Sequence, residues 1–222
     1  MPTHATFSAF SRADLLQAHC KILRQGRLFN ARVFTTQIDT RTWVIKDFAC
    51  KPWFVHPIGR FLVARERRFL QHLATHPGFT QAVFSPDALS LAIAWSPGQT
   101  LQQIDSKRIT KDYLLQLEQL IHQLHGLGIV HLDLRNAGNI ICTPQDTPAL
   151  IDFQSAMFTS SLPKKLKSLL EAIDMSGAYK MWSRFAPQAM GRERLEALER
   201  VSRLLRWWPF KGYCGLKKKS AD

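Results

Sequence analysis

Residues 129–153, IVHLDLRNAGNIICTPQDTPALIDF, contain two short apolar runs, NIIC and ALID, that are typical of β-strands. Each run carries one polar residue at an end, Asn139 in the first and Asp152 in the second. Asp133 lies just upstream, in HLDL. A carboxylate beside a hydrophobic core is costly unless it is paired or binds a metal ion. The segment therefore predicts a site in which both aspartates are compensated.

The composition narrows the class of protein. The chain has 222 residues, of which 45% are hydrophobic, enough for one or two folded domains and too many for a disordered chain. Its four cysteines are widely spaced, which argues against a disulfide framework. The first residues lack the pattern of a secretory signal, and no window approaches about 18 consecutive apolar residues. We therefore expect a cytoplasmic protein.

The charge of the chain is strongly positive. The formal net charge is +13. Residues 164–222 hold 14 Lys and Arg against 6 Asp and Glu, a net charge of +8. Such an excess favours phosphate-bearing partners, which are nucleic acid, anionic lipid or a phosphorylated substrate.

The first part of the chain predicts a small sheet with a helix. Residues 21–49 contain strand-forming runs separated by turn residues, which predicts a three-stranded meander with Lys46 in its last strand. Residues 57–75 show helical periodicity, and Glu66 lies on the apolar stripe of that helix. A carboxylate on the buried side needs a cation, and Lys46 is the natural candidate. The stripe consists of Leu62, Phe69, Leu70 and Leu73.

The rest of the chain is predicted to be mainly helical. Two strand-like runs, AVF and SLAIAW, precede a breaker, SPGQT, at 96–100, where we place a domain boundary that separates 1–96 from 97–222. A long helix is expected from about residue 110 to 127, ended by Gly126 or Gly128. Beyond about residue 163 the pattern indicates basic helices.

The order of these features resembles a known family. VIK at 44–46 resembles the V-A-I-K strand of protein kinases, HLDLRNAGN at 131–139 resembles their catalytic loop H-R-D-L-x-x-x-N, and IDF at 151–153 resembles their D-F-G site. Over about residues 20–160 the sequence thus resembles the protein-kinase-like superfamily. Within it, the sequence is most similar to the compact bacterial branch of lipopolysaccharide core kinases, which act on heptose or Kdo, and RIO-type kinases.

The resemblance implies a fold and a set of roles. The fold would be α+β and bilobal, with a small antiparallel-sheet N-lobe carrying one helix and a mainly helical C-lobe. ATP and Mg²⁺ would be the cofactors. By position, Asp133 would orient the acceptor hydroxyl and Arg135 would lie near the γ-phosphate. The remaining roles would be phosphate binding by Lys46, positioning of that lysine by Glu66, metal binding by Asn139 and Asp152, and adenine contact by the backbone of Ala94, Trp95 and Ser96.

Several positions depart from the family pattern. Asn139 follows Asp133 by six residues, whereas the usual spacing is five, so Asn136 is a rival metal ligand. Gln154 replaces the glycine after Asp-Phe, which is expected to limit backbone flipping there. The glycine-rich loop is missing, since residues 25–33 contain only Gly26. No A-P-E motif follows Asp152, which favours a non-peptide acceptor.

These patterns predict an ATP-dependent kinase that phosphorylates a hydroxyl group. The expected acceptor is a lipid-linked sugar of the lipopolysaccharide core, at the cytoplasmic face of the inner membrane. The alternatives are a RIO-like protein serine/threonine kinase and a pseudokinase that acts as a binding module. Residues 204–219, LLRWWPFKGYCGLKKK, are a candidate contact with an anionic membrane, and nucleic acid is a weaker alternative partner. The acceptor itself and the oligomeric state stay open.

Four further side chains have expectations of their own. His131 is expected to pack beneath the catalytic loop and Cys142 to lie in the core. His122 and His125 are three residues apart on the predicted long helix, and both are expected to be solvated.

Overall fold

The computed structural model describes residues 9–80 and 82–206, and it combines helices with antiparallel strands. This confirms the predicted α+β class. The chain divides into two units, Met1–Trp95 and Ser96–Asp222, and the boundary predicted between residues 96 and 97 lies beside this division. Most of the candidate membrane segment 204–219 lies outside the described residues. Across the described part of the chain, no helix is both long enough and apolar enough to cross a membrane.

The first unit contains a five-stranded antiparallel sheet in the order β1-β2-β3-β5-β4. The first three strands form the predicted meander. The central strand β3 alternates between faces, with Trp43 and Ile45 buried. Lys46 lies in β3, opposite Val33 and Leu91. The strands are β1 Cys20–Arg24, β2 Arg32–Ile38, β3 Arg41–Asp47, β4 Val83–Asp87 and β5 Ser90–Ala94.

Two helices accompany this sheet. The predicted helix is α2, His56–Leu73, and its buried stripe includes Val63, Phe69, Leu70 and Leu73. Glu66 lies within that stripe and is 3% exposed, as predicted, whereas Leu62 is only half-buried.

The sequence analysis missed the short helix α1, Arg12–Gln17, which begins with a capping box made by Ser11 and Asp14. It is held to the sheet at two places. Phe10, just before it, packs edge-to-face on Trp43 and Phe84, with ring centroids 5.5 and 4.7 Å apart. Arg12 forms ion pairs with two sheet residues, Asp47 and Asp87. The prediction of a single helix in this unit was therefore wrong, because its described residues contain two α-helices.

The second unit combines long helices with short strands. Its strands form two small antiparallel groups, β6-β8-β9 and β10-β7. The runs NIIC and ALID supply β8 and β9, as predicted. The elements are β6 Gln99–Thr100, α3 Lys111–Gly126, β7 Ile129–Val130, β8 Ile140–Cys142, β9 Pro148–Leu150, β10 Met157–Phe158, α4 Lys164–Phe185 and α5 Arg192–Arg206.

Helix α3 is the predicted long helix. The hydroxyl of Thr110 accepts a hydrogen bond from the amide of Tyr113 and caps the first turn. Gly128 ends the helix, because its φ of 72° lies in the left-handed region and its amide donates to the carbonyl of His125. This decides between the two glycines that the sequence offered.

Helix α4 passes very close to the loop that follows β7. A Cβ atom placed on Gly177 would lie 2.6 Å from the carbonyl carbon of Leu134. Only glycine allows this approach without a backbone shift.

We expect Gly177→Ala to lower the free energy of unfolding by about 1–3 kcal/mol, because the added methyl overpacks against loop backbone. Urea denaturation measures this. The matched control is Gly126→Ala at the end of α3, where an added Cβ would meet nothing within 4 Å. That change is expected to be neutral or slightly stabilising. Equal midpoints for the two variants would contradict the proposed close approach.

Candidate functional site

The first unit contains a buried ion pair between its sheet and its long helix. Nζ of Lys46 in β3 lies 2.6 Å from Oε1 of Glu66 in α2, and both side chains are buried. The predicted pairing is therefore confirmed. A buried ion pair contributes little net stability compared with an apolar pair, because both charges lose their hydration. Its presence is more readily explained by a function for the lysine than by stability.

The segment proposed to meet adenine begins at the end of β5. The amide of Ala94 donates to the carbonyl of Ala82, and the amide of Trp95 donates to the carbonyl of Thr42, at 2.9 and 3.0 Å. These two amides are engaged within the first unit. They are therefore not available as donors to a nucleotide base. Of the three predicted residues, Ser96 is the one whose amide could still donate to a base.

In the second unit, one buried carboxylate holds the loop after β7. Asp174 of α4 is 1% exposed, and its two oxygens accept the amides of His131 and Leu132 at 2.6 and 2.7 Å. Leu132 has a φ of 64°, which is costly for a branched residue and needs such support. Sequence reasoning missed Asp174. The available signal was a single acid within an otherwise uncharged run, AIDMSGA.

Two histidines lie around this loop. Nε2 of His125 is 3.2 Å from Oδ2 of Asp174, and the side chain is buried. The expectation that His125 is solvated was therefore wrong, since it faces α4; His122, three residues earlier, is exposed as expected. His131 is fully buried, with Nε2 3.0 Å from the carbonyl oxygen of Ile151 and its ring against Phe153. This confirms its predicted place beneath the loop.

The loop brings Asp133 and Asn139 together. Nδ2 of Asn139 donates to Oδ2 of Asp133 at 2.8 Å and to its carbonyl oxygen at 3.0 Å. The carbonyl oxygen of Asn139 accepts the amide of Ile151, so Asn139 is joined to the segment that leads into Asp152. Asp152 has φ and ψ of 65° and 66°, a left-handed conformation that non-glycine residues seldom adopt. Backbone strain of this kind is concentrated at functional sites.

Asn136, the alternative to Asn139 as a metal ligand, takes part in a local turn. Its Oδ1 accepts the amide of Gly138 at 3.1 Å and closes the short turn before β8. Its Nδ2 lies 3.4 Å from Oδ1 of Asn139. The side-chain oxygens of both asparagines are therefore engaged, and Asn136 as well as Asn139 lowers the pKa of Asp133 through a hydrogen bond, so the choice between them as metal ligand stays a prediction.

The environment of Asp133 changes its acidity. Burial, helped by the negative charges of Asp152 and Asp174, raises the pKa of Asp133 to about 6, and hydrogen bonds from Asn139 and Asn136 oppose this rise. Asn139 links the two segments, because its side chain contacts Asp133 and its carbonyl oxygen accepts the amide of Ile151, next to Asp152. A cation bound to both carboxylates would relieve the repulsion between their charges.

The side chain of Arg135 contacts two helices of the second unit. Its guanidinium donates to the hydroxyls of Ser176 in α4 and Ser202 in α5, at 2.9 and 3.2 Å, and it is buried. The predicted role of Arg135 near the γ-phosphate stays a prediction. The contacts with the two serines show that its side chain also joins helices α4 and α5. A second cation, Lys180 of α4, donates to the carbonyl oxygen of Arg135 at 2.8 Å and is half-buried. The sequence pattern had not predicted a role for Lys180.

The chemistry of the donors suits Mg²⁺. Within residues 9–80 and 82–206 no three or more His, Cys, Asp and Glu side chains form a metal-binding group. Magnesium keeps several of its waters and needs few protein ligands, chiefly carboxylate or carbonyl oxygens. Asp152 and Asn139 carry such oxygens, and Asn139 contacts Asp133, so these residue types fit this ion.

Comparisons with known proteins add no assignment. The chain matches no protein-family model, and no curated protein matches its sequence. Any function therefore has to be argued from the sequence pattern and from the geometry described above.

We expect Asp133→Asn to stabilise the metal-free protein at neutral pH. The folded-state pKa of about 6 lies above the unfolded value of roughly 3.9, so the wild type loses stability as the pH rises through 6. The asparagine does not ionise and avoids this loss. After allowance for solvent screening, the gain should be about 1 kcal/mol at pH 7.5 and should vanish below about pH 4.

Urea unfolding in EDTA at the two pH values tests this. Gln123→Asn, at an exposed position of α3, is the control and should show no pH-dependent difference from the wild type, because neither side chain ionises in this range. A constant offset between Asp133→Asn and wild type across this range would argue against a raised pKa.

Proposed function

We propose that this chain is an ATP-dependent phosphotransferase with the bilobal fold of the protein-kinase-like superfamily. The small sheet unit would be its N-lobe and the helical unit its C-lobe. The observation that carries the proposal is the cluster of Asp133, Asn139 and Asp152. Asn139 donates to Asp133 on a loop that Asp174 holds, and the backbone of Asn139 is hydrogen-bonded to Ile151, next to Asp152.

Each residue in the proposal has a task that follows from its contacts. Lys46 would bind the α- and β-phosphates, and Glu66 would hold its ammonium group in place. Asp152 and Asn139 would bind Mg²⁺, which supplies neutralisation of charge on the transferring phosphoryl group. Asp133 would accept a hydrogen bond from the acceptor hydroxyl and orient it. Its contact with Asn139 fixes the carboxylate for that purpose.

The segment after Asp152 supports a non-peptide acceptor. It contains a short turn, Phe153–Ser155, and the two-residue strand β10, and α4 already begins at Lys164. So short a connection offers little backbone for a peptide groove. A sugar or lipid headgroup needs only a hydroxyl presented to Asp133. The net charge of +13 suits an acceptor that carries phosphates or is attached to an anionic membrane.

The acceptor class that fits these features best is a lipid-linked sugar of the lipopolysaccharide core. The protein would then act at the cytoplasmic face of the inner membrane. A RIO-like protein serine/threonine kinase is the second candidate, because the same short segment is compatible with it.

We expect label from γ-labelled ATP with Mg²⁺ to enter glycolipid extracted from a bacterial envelope. Asp133→Ala should lower the rate at least about 100-fold, because the hydroxyl loses its orienting carboxylate. Asp112→Ala is the matched control and should retain full activity. Soluble protein is offered as a separate acceptor.

The outcomes separate the candidate functions. Transfer into glycolipid that depends on Asp133 supports the core kinase. Transfer into protein alone would favour the RIO-like alternative. Binding of ATP with no Asp133-dependent transfer to either acceptor would count against catalysis and favour a pseudokinase.

The ion pair between Lys46 and Glu66 allows a test that separates stability from nucleotide binding. Lys46→Met alone should destabilise the protein by about 3–5 kcal/mol, because it leaves a buried carboxylate without this partner. The double variant Lys46→Met/Glu66→Leu should regain most of that stability. Nucleotide affinity should stay low in the double variant, since the phosphate-binding cation is gone. Equilibrium binding of ATP, followed with urea unfolding, measures both quantities; a double variant that binds ATP normally would remove Lys46 from the site.

A further inference from the structure

A cluster of large apolar side chains lies exposed at the start of α2. Trp53 is 81% exposed and Phe61 is 65% exposed, and Phe54 and Ile58 are exposed as well. We call these four residues the α2 apolar surface. Single exposed apolar residues are ordinary, but four large ones within nine positions are characteristic of an interaction surface.

The four residues lie in the turn before α2 and in the first turns of that helix. Trp53 and Phe54 form part of the turn that leads into the helix, with ring centroids 6.1 Å apart. Ile58 lies three residues before Phe61, which places these two along one side of the helix, and Phe54 lies in the turn just before it. Glu66 and the apolar stripe occupy the buried side. The helix is therefore apolar on two sides, and only one of them packs on the sheet.

The charge around this surface is of one sign. Residues 48–86 contain five Lys and Arg, and Glu66, their only acid, is buried against Lys46. Arg60, Arg67 and Arg68 are exposed on the same helix. Residues 19–38 contain four further Lys and Arg and no acid.

The loop between β1 and β2 extends the same surface. Nζ of Lys51, just before the turn that contains Trp53, donates to the carbonyl oxygens of Gln25 and Gly26 at 3.0 and 3.3 Å. This contact attaches the base of the loop to the start of α2. The loop carries two more exposed apolar residues, Leu28 and Phe29.

We propose that the α2 apolar surface docks on an anionic lipid bilayer. The aromatic side chains would enter the interfacial region, and the neighbouring arginines would bind headgroup phosphates. A bilayer suits the surface better than an acidic protein does, because four exposed apolar side chains, with exposed arginines on the same helix, match its apolar and anionic layers together. The proposal does not depend on the phosphotransferase activity.

The test is co-sedimentation of the full chain with lipid vesicles. We expect binding to phosphatidylcholine vesicles that contain about a third phosphatidylglycerol, and much weaker binding to phosphatidylcholine alone. Trp53→Ala/Phe61→Ala should lower the partition coefficient at least about tenfold, since both interfacial anchors are lost. The control, Leu166→Ala/Leu195→Ala, removes exposed leucines of α4 and α5 and should bind as the wild type does. Circular dichroism checks that each variant is folded.

A second pair of variants separates this surface from the overall positive charge. Arg60→Glu/Arg68→Glu and Arg192→Glu/Arg200→Glu change the net charge equally, and all four arginines are exposed. The α2 pair should lose at least about tenfold more affinity than the α5 pair, because each charge near the membrane surface counts separately. Equal losses would overturn the proposal, since binding would then follow net charge or another segment.

Two further outcomes would also reject it. One is undiminished vesicle binding by Trp53→Ala/Phe61→Ala. The other is binding to double-stranded DNA that exceeds vesicle binding and is lowered by the α2 arginine pair, which would assign the surface to nucleic acid. Loss of vesicle binding in both α2 variants, with retained folding, supports the proposal even if no phosphoryl transfer is found.

Discussion

The carboxylate of Asp174 is the contact on which the second unit's loop depends. It accepts the amides of His131 and Leu132 from within α4, and it also lies beside His125 of α3. One buried group thus joins a helix, a strand end and a strained loop residue. A buried carboxylate is stable only when hydrogen-bond donors surround it, so the loop and Asp174 require each other. The close approach of Gly177 to Leu134 reinforces the same geometry.

The two units treat buried charge in different ways. In the first, Lys46 and Glu66 neutralise one another at 2.6 Å. In the second, burial raises the pKa of Asp133 to about 6, and the charge of Asp152 adds to this rise. Carboxylates of like charge cost stability when they are close, and they are suited to binding a cation. This contrast, together with the order of motifs along the chain, supports the proposed phosphotransferase.

Much of the fold followed from local patterns. The meander of β1 to β3, the helices α2 and α3, and the burial of Glu66 were all predicted, because strand and helix periodicities depend on neighbouring residues. The contact of Glu66 with Lys46 was predictable because a buried carboxylate needs a cation. Other contacts between distant residues were missed. The short α1, whose Arg12 binds Asp47 and Asp87, has too few residues to show a period.

The sequence by itself determined the α+β class, the order of the longer helices and strands, and the presence of Asp133, Asn139 and Asp152 around two strands. Spacing along the chain was enough for that, since each residue adjoins a recognisable element. Only the tertiary structure decided where side chains point. In the folded chain Arg135 donates to Ser176 and Ser202. His125 is buried beside Asp174, and Asn136 accepts a hydrogen bond within a local turn. Such choices depend on which helices pack behind the loop, and no local pattern in the sequence encodes that packing.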